Sequence, residues 1–166
     1  LEFRRVLFRS LSELNSLIET TDTAYENFDS QQAGLAIATF IDDLSNWYVR
    51  RSRRRFWDGD IAALTTLFEC IEKLTLVMAP MVPFITEHVW QVLLRKVKSG
   101  LPDSVHLADY PVAQSALVKK DLSANVALTR RLVELGRASR AQSQIEVRQP
   151  LSRALISAPG WKSLDQ

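Results

Sequence analysis

A chain of 166 residues, 46% hydrophobic and 24% charged, carries enough apolar material for one packed domain, or for one domain and the start of another. Its 5 glycines and 6 prolines are few for an all-β fold of many tight turns, and its single cysteine excludes an internal disulfide and any cysteine-cluster metal site. The net charge of +2 conceals an asymmetry: five of the six residues from Arg50 to Arg55 are arginine, and nine basic against four acidic residues lie from Leu117 onward. Charge gathered in this way points to a polyanionic partner.

Two histidines, His88 and His106, are too few for an imidazole-based metal site. No apolar run approaches the ~18–20 residues that span a bilayer, so no membrane association is expected, and the cytoplasm is the expected compartment.

Taken in chain order, Leu1 to Ser10 are apolar and arginine-rich and do not match the residues after them; they are expected to be a non-native or frayed lead-in. From Leu11 the spacing becomes helical, with Leu11, Leu14, Leu17 and Ile18 on one stripe, interrupted by the polar stretch Glu19 to Asp22. Asp29 or Ser30 suits the N-cap of a second helix, in which Ala33, Ile37, Phe40, Ile41, Leu44, Trp47 and Tyr48 share a face. Asp58-Gly59-Asp60 reads as a turn with an acidic cap. The third helix comes next, with Ile61, Leu64, Leu67, Phe68, Ile71, Leu74, Thr75 and Met78 as its stripe.

Pro80 ends that helix, and Pro83 opens a fourth running to about Lys98. Residues 99–117 form a connection with a short extended piece at Val105 to Leu107, and a fifth, long helix is predicted from about Lys119 to Ser143. Glu146 to Leu151 and Arg153 to Ile156 have the alternation of short strands. The expected fold is all-α: an antiparallel helix bundle with a fifth long helix and a short C-terminal β element. Its divisions are a lead-in at 1–10, a helical domain at 11–116, and a helix with the start of a junction region at 117–166.

Arginine carries a planar fork of donors that matches a phosphate edge and also stacks on bases. Trp47, Tyr48, Phe56 and Trp57 flank the arginine run, and aromatics beside guanidinium groups suit unpaired RNA bases. On a straight helix Arg50, Arg53 and Arg54 point away from the apolar stripe, whereas Arg51 and Arg55 fall on it. Those two are expected to be partly structural, lying beyond the packed region or paired with Asp42, Asp43 or Glu87, since a buried cation without a partner costs several kcal/mol, on the order of 3–5. A basic run at a helix C-terminus also complements the helix dipole while staying solvated. From the residues alone, both readings stand.

The stretch Phe40-Ile41-Asp42-Asp43-Leu44-Ser45-Asn46-Trp47-Tyr48-Val49-Arg50-Arg51-Ser52-Arg53-Arg54-Arg55-Phe56-Trp57 closely resembles the anticodon-binding domain of isoleucyl-tRNA synthetases, class I (Ia) enzymes. In the same order, Leu11 to Ile18 resembles the helix entering that domain, Met78 to Glu87 its third-to-fourth helix junction, and Ser104 to Pro111 its closing segment. Leu135 to Arg140 and Val147 to Leu151 resemble the helix and strand that lead to the family's C-terminal region. The resemblance spans about residues 11–157; Leu1 to Ser10 depart from it. Valyl-tRNA synthetases share the plan and are the competing resemblance.

The resemblance implies binding: a tRNA anticodon-stem and loop module whose contacts come from Arg50, Arg53, Arg54 and Trp57, with Arg51, Arg55 and Trp47 beside them. The family's catalysis, ligation of isoleucine to its tRNA with ATP and magnesium, uses His-x-Gly-His and Lys-Met-Ser-Lys-Ser signatures that do not occur here. No cofactor is therefore expected in this chain. The implied partners are an isoleucine-accepting tRNA and the catalytic domain of the same polypeptide, in a monomer. A helical protein-interaction domain with a basic face for an acidic partner is the alternative.

Other groups are expected to be structural. His88 is read as a packing residue, Cys70 as a part-buried small residue, and Asp42 and Asp43 as arginine partners or caps. Met78 and Met81 are read as core filler, and Arg137, Arg140 and Arg148 as solvated surface or tRNA contacts.

Overall fold

The computed structural model describes residues 2–157, with side chains from Arg9 onward; Leu1 and the end of the predicted junction segment, residues 158–166, lie outside the described residues. The chain forms two compact units, Leu1–Lys119 and Lys120–Gln166.

In the first unit, α1 (Glu2–Glu26) is followed by a continuous rod made of α2 (Ser30–Asp43), a π-helical segment (Leu44–Val49) and α3 (Arg50–Trp57). Then come α4 (Ile61–Met78) and a second rod: α5 (Pro83–Val89), a π-helical segment (Trp90–Leu94) and α6 (Arg95–Val97). The links are too short for anything but antiparallel neighbours. The predicted caps hold: Asp29 Oδ1 accepts the Gln32 N–H at 2.8 Å, Asp60 Oδ1 accepts the Ala63 N–H at 3.0 Å, and Pro83 sits in the first turn of α5.

Leu14, Leu17 and Ile18 of α1 meet Ile37, Phe40, Leu44 and Tyr48 of the α2–α3 rod and Cys70 and Val77 of α4. A smaller cluster joins Ala79, Trp90, Leu94 and Val105. The expected break at Glu19 to Asp22 does not occur. Thr21 is buried, and its hydroxyl donates to the Leu17 carbonyl at 2.8 Å, so the helix carries a polar side chain inward without an orphan group. Most of the predicted α4 stripe packs inward: Thr75 is buried, and Leu67, Phe68, Ile71, Leu74 and Met78 lie against the core. Small residues Ala63, Thr66 and Cys70 are buried, whereas Ile61 and Leu64 are exposed, because closely packed helices admit the small side chains at the contact line.

The lead-in expected to be non-native or frayed is helical from Glu2, and Arg9 and Ser10 are buried. The Arg9 guanidinium lies 2.7 Å from Asp43 Oδ2 and 4.5 Å from the centre of the Trp47 ring.

The connection after α6 is pinned to the bundle by side chains rather than by secondary structure of its own. Val105–Leu107 is a 3-10 turn, not the extended piece expected. Glu87 accepts from Ser104 Oγ at 2.8 Å and the Val105 N–H at 3.0 Å, and Trp90 Nε1 donates to the Pro102 carbonyl at 3.0 Å. Asn15 Oδ1 accepts the Gln114 N–H at 2.7 Å, and Ser12 Oγ accepts the Lys119 N–H at 2.8 Å.

The second unit contains α7 (Lys120–Gln142), which has no buried residue. The two short strands expected at Glu146 to Leu151 and Arg153 to Ile156 do not form; no strand occurs among the described residues. A strand needs a partner for its backbone groups. Here Arg140 Nη1 instead donates to the carbonyls of Glu146 and Gln149, each at 2.8 Å, and folds that segment into a turn. Arg140, expected as solvated surface or a tRNA contact, is thereby tied to its own backbone.

Candidate nucleic-acid interface

The buried positions of the α2–α3 rod run Phe40, Leu44, Tyr48 and Ser52, with Phe56 half-buried next. Each step is four residues. At 3.6 residues per turn such a row drifts by roughly 40° per step and would leave the core within a few turns. The π-helical segment Leu44–Val49 takes up an extra residue and returns the row to the core. Its consequence for charge is direct. A straight helix would place Arg51 on the apolar stripe, but Ser52 occupies the buried place at 1% exposure, and Arg51 is exposed.

Arg50, Arg51, Arg53 and Arg54 are therefore all on the surface of α3, and Trp57, in its last turn, is 82% exposed. Arg54 keeps only a loose contact with Asp58 at 3.9 Å, and its side chain is 93% exposed. The Arg51 guanidinium lies 5.3 Å from the centre of the half-buried Trp47 ring. Trp47 thus has cations against it, from Arg9 and Arg51, and does not join the exposed indole of Trp57.

Arg55 differs from its neighbours. Its Nε donates to Asp60 Oδ2 at 3.0 Å, and its Nη2 reaches the same oxygen. Asp43 holds Arg9, Asp42 accepts from the Asn46 amide at 2.6 Å, and Glu87 holds the connection. Asp60 was legible only as a cap; its second partner lies across the turn. The Arg55 guanidinium and the Ala63 N–H hold the Asp60 carboxyl below the usual carboxylate range.

Phe56 faces inward and meets Tyr48 edge-on, with ring centres 6.1 Å apart, while the Tyr48 hydroxyl donates to the Ala63 carbonyl at 2.8 Å. With Phe56 held on the core side, the adjacent Trp57 points outward. His88 is exposed rather than packed, and Cys70 is fully buried with its thiol pushed up to about 12 by burial. Among the described residues no three His, Cys, Asp or Glu side chains converge as a metal site would require, and no helix is long and apolar enough to cross a membrane.

The first unit is an all-α bundle with guanidinium groups and an indole exposed at the end of its α2–α3 rod, a helical module with a basic, aromatic end. Residues 10–155 match the family described as the anticodon-binding domain of tRNA ligase, and the chain belongs to that family. It is 60% identical over 161 residues to isoleucine–tRNA ligase of Thermobifida fusca (strain YX), covering 94% of this chain and 15% of the relative. The isoleucine–tRNA ligase of Streptomyces avermitilis is 55% identical over 156 residues, covering 94% of this chain and 15% of the relative. That of Cutibacterium acnes is 56% identical over 164 residues, covering 98% and 15%. The chain thus spans about 15% of the length of these relatives.

Proposed function

We propose that this chain is the tRNA anticodon-stem and loop-binding module of an isoleucine–tRNA ligase. The three relatives favour the isoleucine enzyme over the valine enzyme. The observation that carries the reading is the exposed row Arg50, Arg53 and Arg54 ending at the exposed Trp57 indole. The guanidinium groups neutralise backbone phosphates and set the register of the RNA, and the indole offers a face on which an unpaired base stacks. Arg51 adds charge at the same surface, while Arg55 and Trp47 support it from behind.

The full-length protein is a cytoplasmic monomer that activates isoleucine with ATP and magnesium in a catalytic domain of the same polypeptide. On this reading isoleucine activation belongs to that catalytic domain, and this chain contributes binding.

The test is a titration of an isoleucine-accepting tRNA transcript against this chain at several salt concentrations. Binding should weaken log-linearly with salt through counterion release. Changing Arg50, Arg53 and Arg54 together to Gln should weaken binding and flatten that slope by about 2–3, at roughly 0.7–0.9 per phosphate contact. An unchanged affinity in the triple variant would overturn the reading and favour an acidic protein partner.

A further inference from the structure

We infer that Asp60 is a positioning residue for RNA recognition, clamping Arg55 so that the end of α3 presents Trp57 and Arg54 as a fixed surface, with Arg55 a strut and not a phosphate ligand. This rests on the RNA-binding function proposed for the chain and adds a residue and a division of labour within the arginine run.

The turn from α3 to α4 is closed twice over. In the backbone, the Asp60 N–H donates to the Arg55 carbonyl at 2.9 Å and the Gly59 N–H to the Phe56 carbonyl at 3.2 Å. This is a Schellman cap, and its left-handed residue is Gly59 at φ +70. In the side chains, the two carboxylate oxygens of Asp60 divide their work. Oδ1 caps α4 through Ala63, and Oδ2 takes both Arg55 donors. Arg55 is therefore bonded to Asp60 through both its carbonyl and its guanidinium.

Trp57 lies inside this closed loop, between the clamped Arg55 and the capped Asp60, and its own ring is solvent-facing. An exposed indole on a free turn would have to be ordered as a base stacked on it. Fixing the turn beforehand removes that cost from binding. The Arg55 and Asp60 side chains are 31% and 27% exposed, so the pair is sheltered. Arg54, with its loose partner Asp58, can turn to a phosphate; Arg55 is already committed to Asp60.

The clamp and a plain charge effect predict opposite signs, which makes the inference testable on the 166-residue chain. Asp60→Asn keeps an oxygen for the Ala63 N–H but removes a negative charge beside the proposed polyanion. If Asp60 acted only through its charge, tRNA binding would tighten; as a positioning residue, its loss should weaken binding about 3–10-fold. Arg55→Gln separates strut from ligand. A phosphate ligand lost would flatten the salt slope by about 1. A strut lost should lower affinity with the slope unchanged.

A third readout is the 19F spectrum of the chain carrying 5-fluorotryptophan, with Trp57→Phe assigning the resonance. Both clamp variants should shift and sharpen the Trp57 signal while leaving the other tryptophans in place. Equal or tighter binding by Asp60→Asn, or a flattened slope for Arg55→Gln, overturns the clamp even where the wild type and the triple arginine variant behave as the RNA reading requires. Failure of the wild type to bind tRNA overturns the RNA reading itself. Should Asp60→Asn not fold, the slope of Arg55→Gln decides alone.

Discussion

The Tyr110 hydroxyl lies 2.7 Å from Thr21 Oγ1, 89 residues away along the chain, and fastens the connection after α6 onto the buried face of α1. Thr21 gives its own hydrogen to the Leu17 carbonyl, so Tyr110 is the donor. Tyr110 also meets Tyr25 edge-on at 6.1 Å, and Tyr25 in turn donates to the Val77 carbonyl of α4 at 2.9 Å. Three segments distant in sequence are joined through two phenols.

Replacing Tyr110 with Phe keeps the ring contact and removes one hydrogen bond. The expected loss is about 1 kcal/mol, lowering the melting temperature by roughly 2–4 °C at this chain length. Proteolysis should locate the weakening within residues 99–119. An unchanged melting temperature would mean that water satisfies Thr21 equally well.

Phe28 ends α1 in a left-handed conformation, at φ 57, with its ring 94% exposed. The Asp29 N–H donates to the Ala24 carbonyl at 2.8 Å and the Phe28 N–H to the Tyr25 carbonyl at 3.0 Å, the pattern of a Schellman cap that glycine ordinarily serves. A side chain there costs roughly 1–2 kcal/mol, part of which glycine returns as unfolded-state entropy. Phe28→Gly should therefore raise the melting temperature by about 1–3 °C. Because Phe28 precedes the rod that ends at Trp57, tRNA affinity should not change. A fall in stability would show that the exposed ring packs on something the bond pattern omits.

The π-helical segment Leu44–Val49 holds one residue more than a regular helix needs. Deleting the exposed Ser45 should convert the rod from Ser30 to Trp57 into a regular helix with the same buried row, and leave the melting temperature within a few degrees. Inserting an alanine beside Ser45 should rotate α3 by about 100° and drive arginines toward the core, with a loss of several kcal/mol, on the order of 3–5. Thermal melts of the two variants distinguish this account. Equal damage from both would reject it.

Burial pushes the Tyr48 hydroxyl up to about 12 from an ordinary 10.0, and the Cys70 thiol up to about 12 from 9.0. Both folded values lie above the unfolded ones, so the stability linked to the protonated forms is complete below pH 9. It is lost as pH rises from about 9 toward 12, because the unfolded chain then releases protons that the folded chain retains. Melting temperature should fall over that window. Cys70→Ala should flatten its lower part at the cost of a small cavity. At about pH 8 the native thiol should resist alkylation and react only after unfolding, since the thiolate is the nucleophile. Rapid labelling of the folded chain would contradict the burial of Cys70.

The ends of the second, third and fourth helices were legible in the residues, because the groups that set them are neighbours in the chain; the bounds of α1 were not. Asp29 and Asp60 each reach a backbone N–H three residues on, Pro83 suits a first turn, and Gly59 supplies the left-handed residue between α3 and α4. The arginine run and its aromatic neighbours were visible for the same reason: they are contiguous. Helical periodicity already turned Arg50, Arg53 and Arg54 outward; tertiary structure decided the places of Arg51 and Arg55. The rotation of α3 depends on a widened turn that keeps Tyr48 and Ser52 in the core, and the partner of Arg55 is a carboxylate brought back by the reversal of the chain at Gly59. The strands read near the C-terminus failed by the same physics. Local alternation favours extended backbone, but a strand persists only where another segment satisfies its N–H and C=O groups, and Arg140 draws two of those carbonyls into a turn.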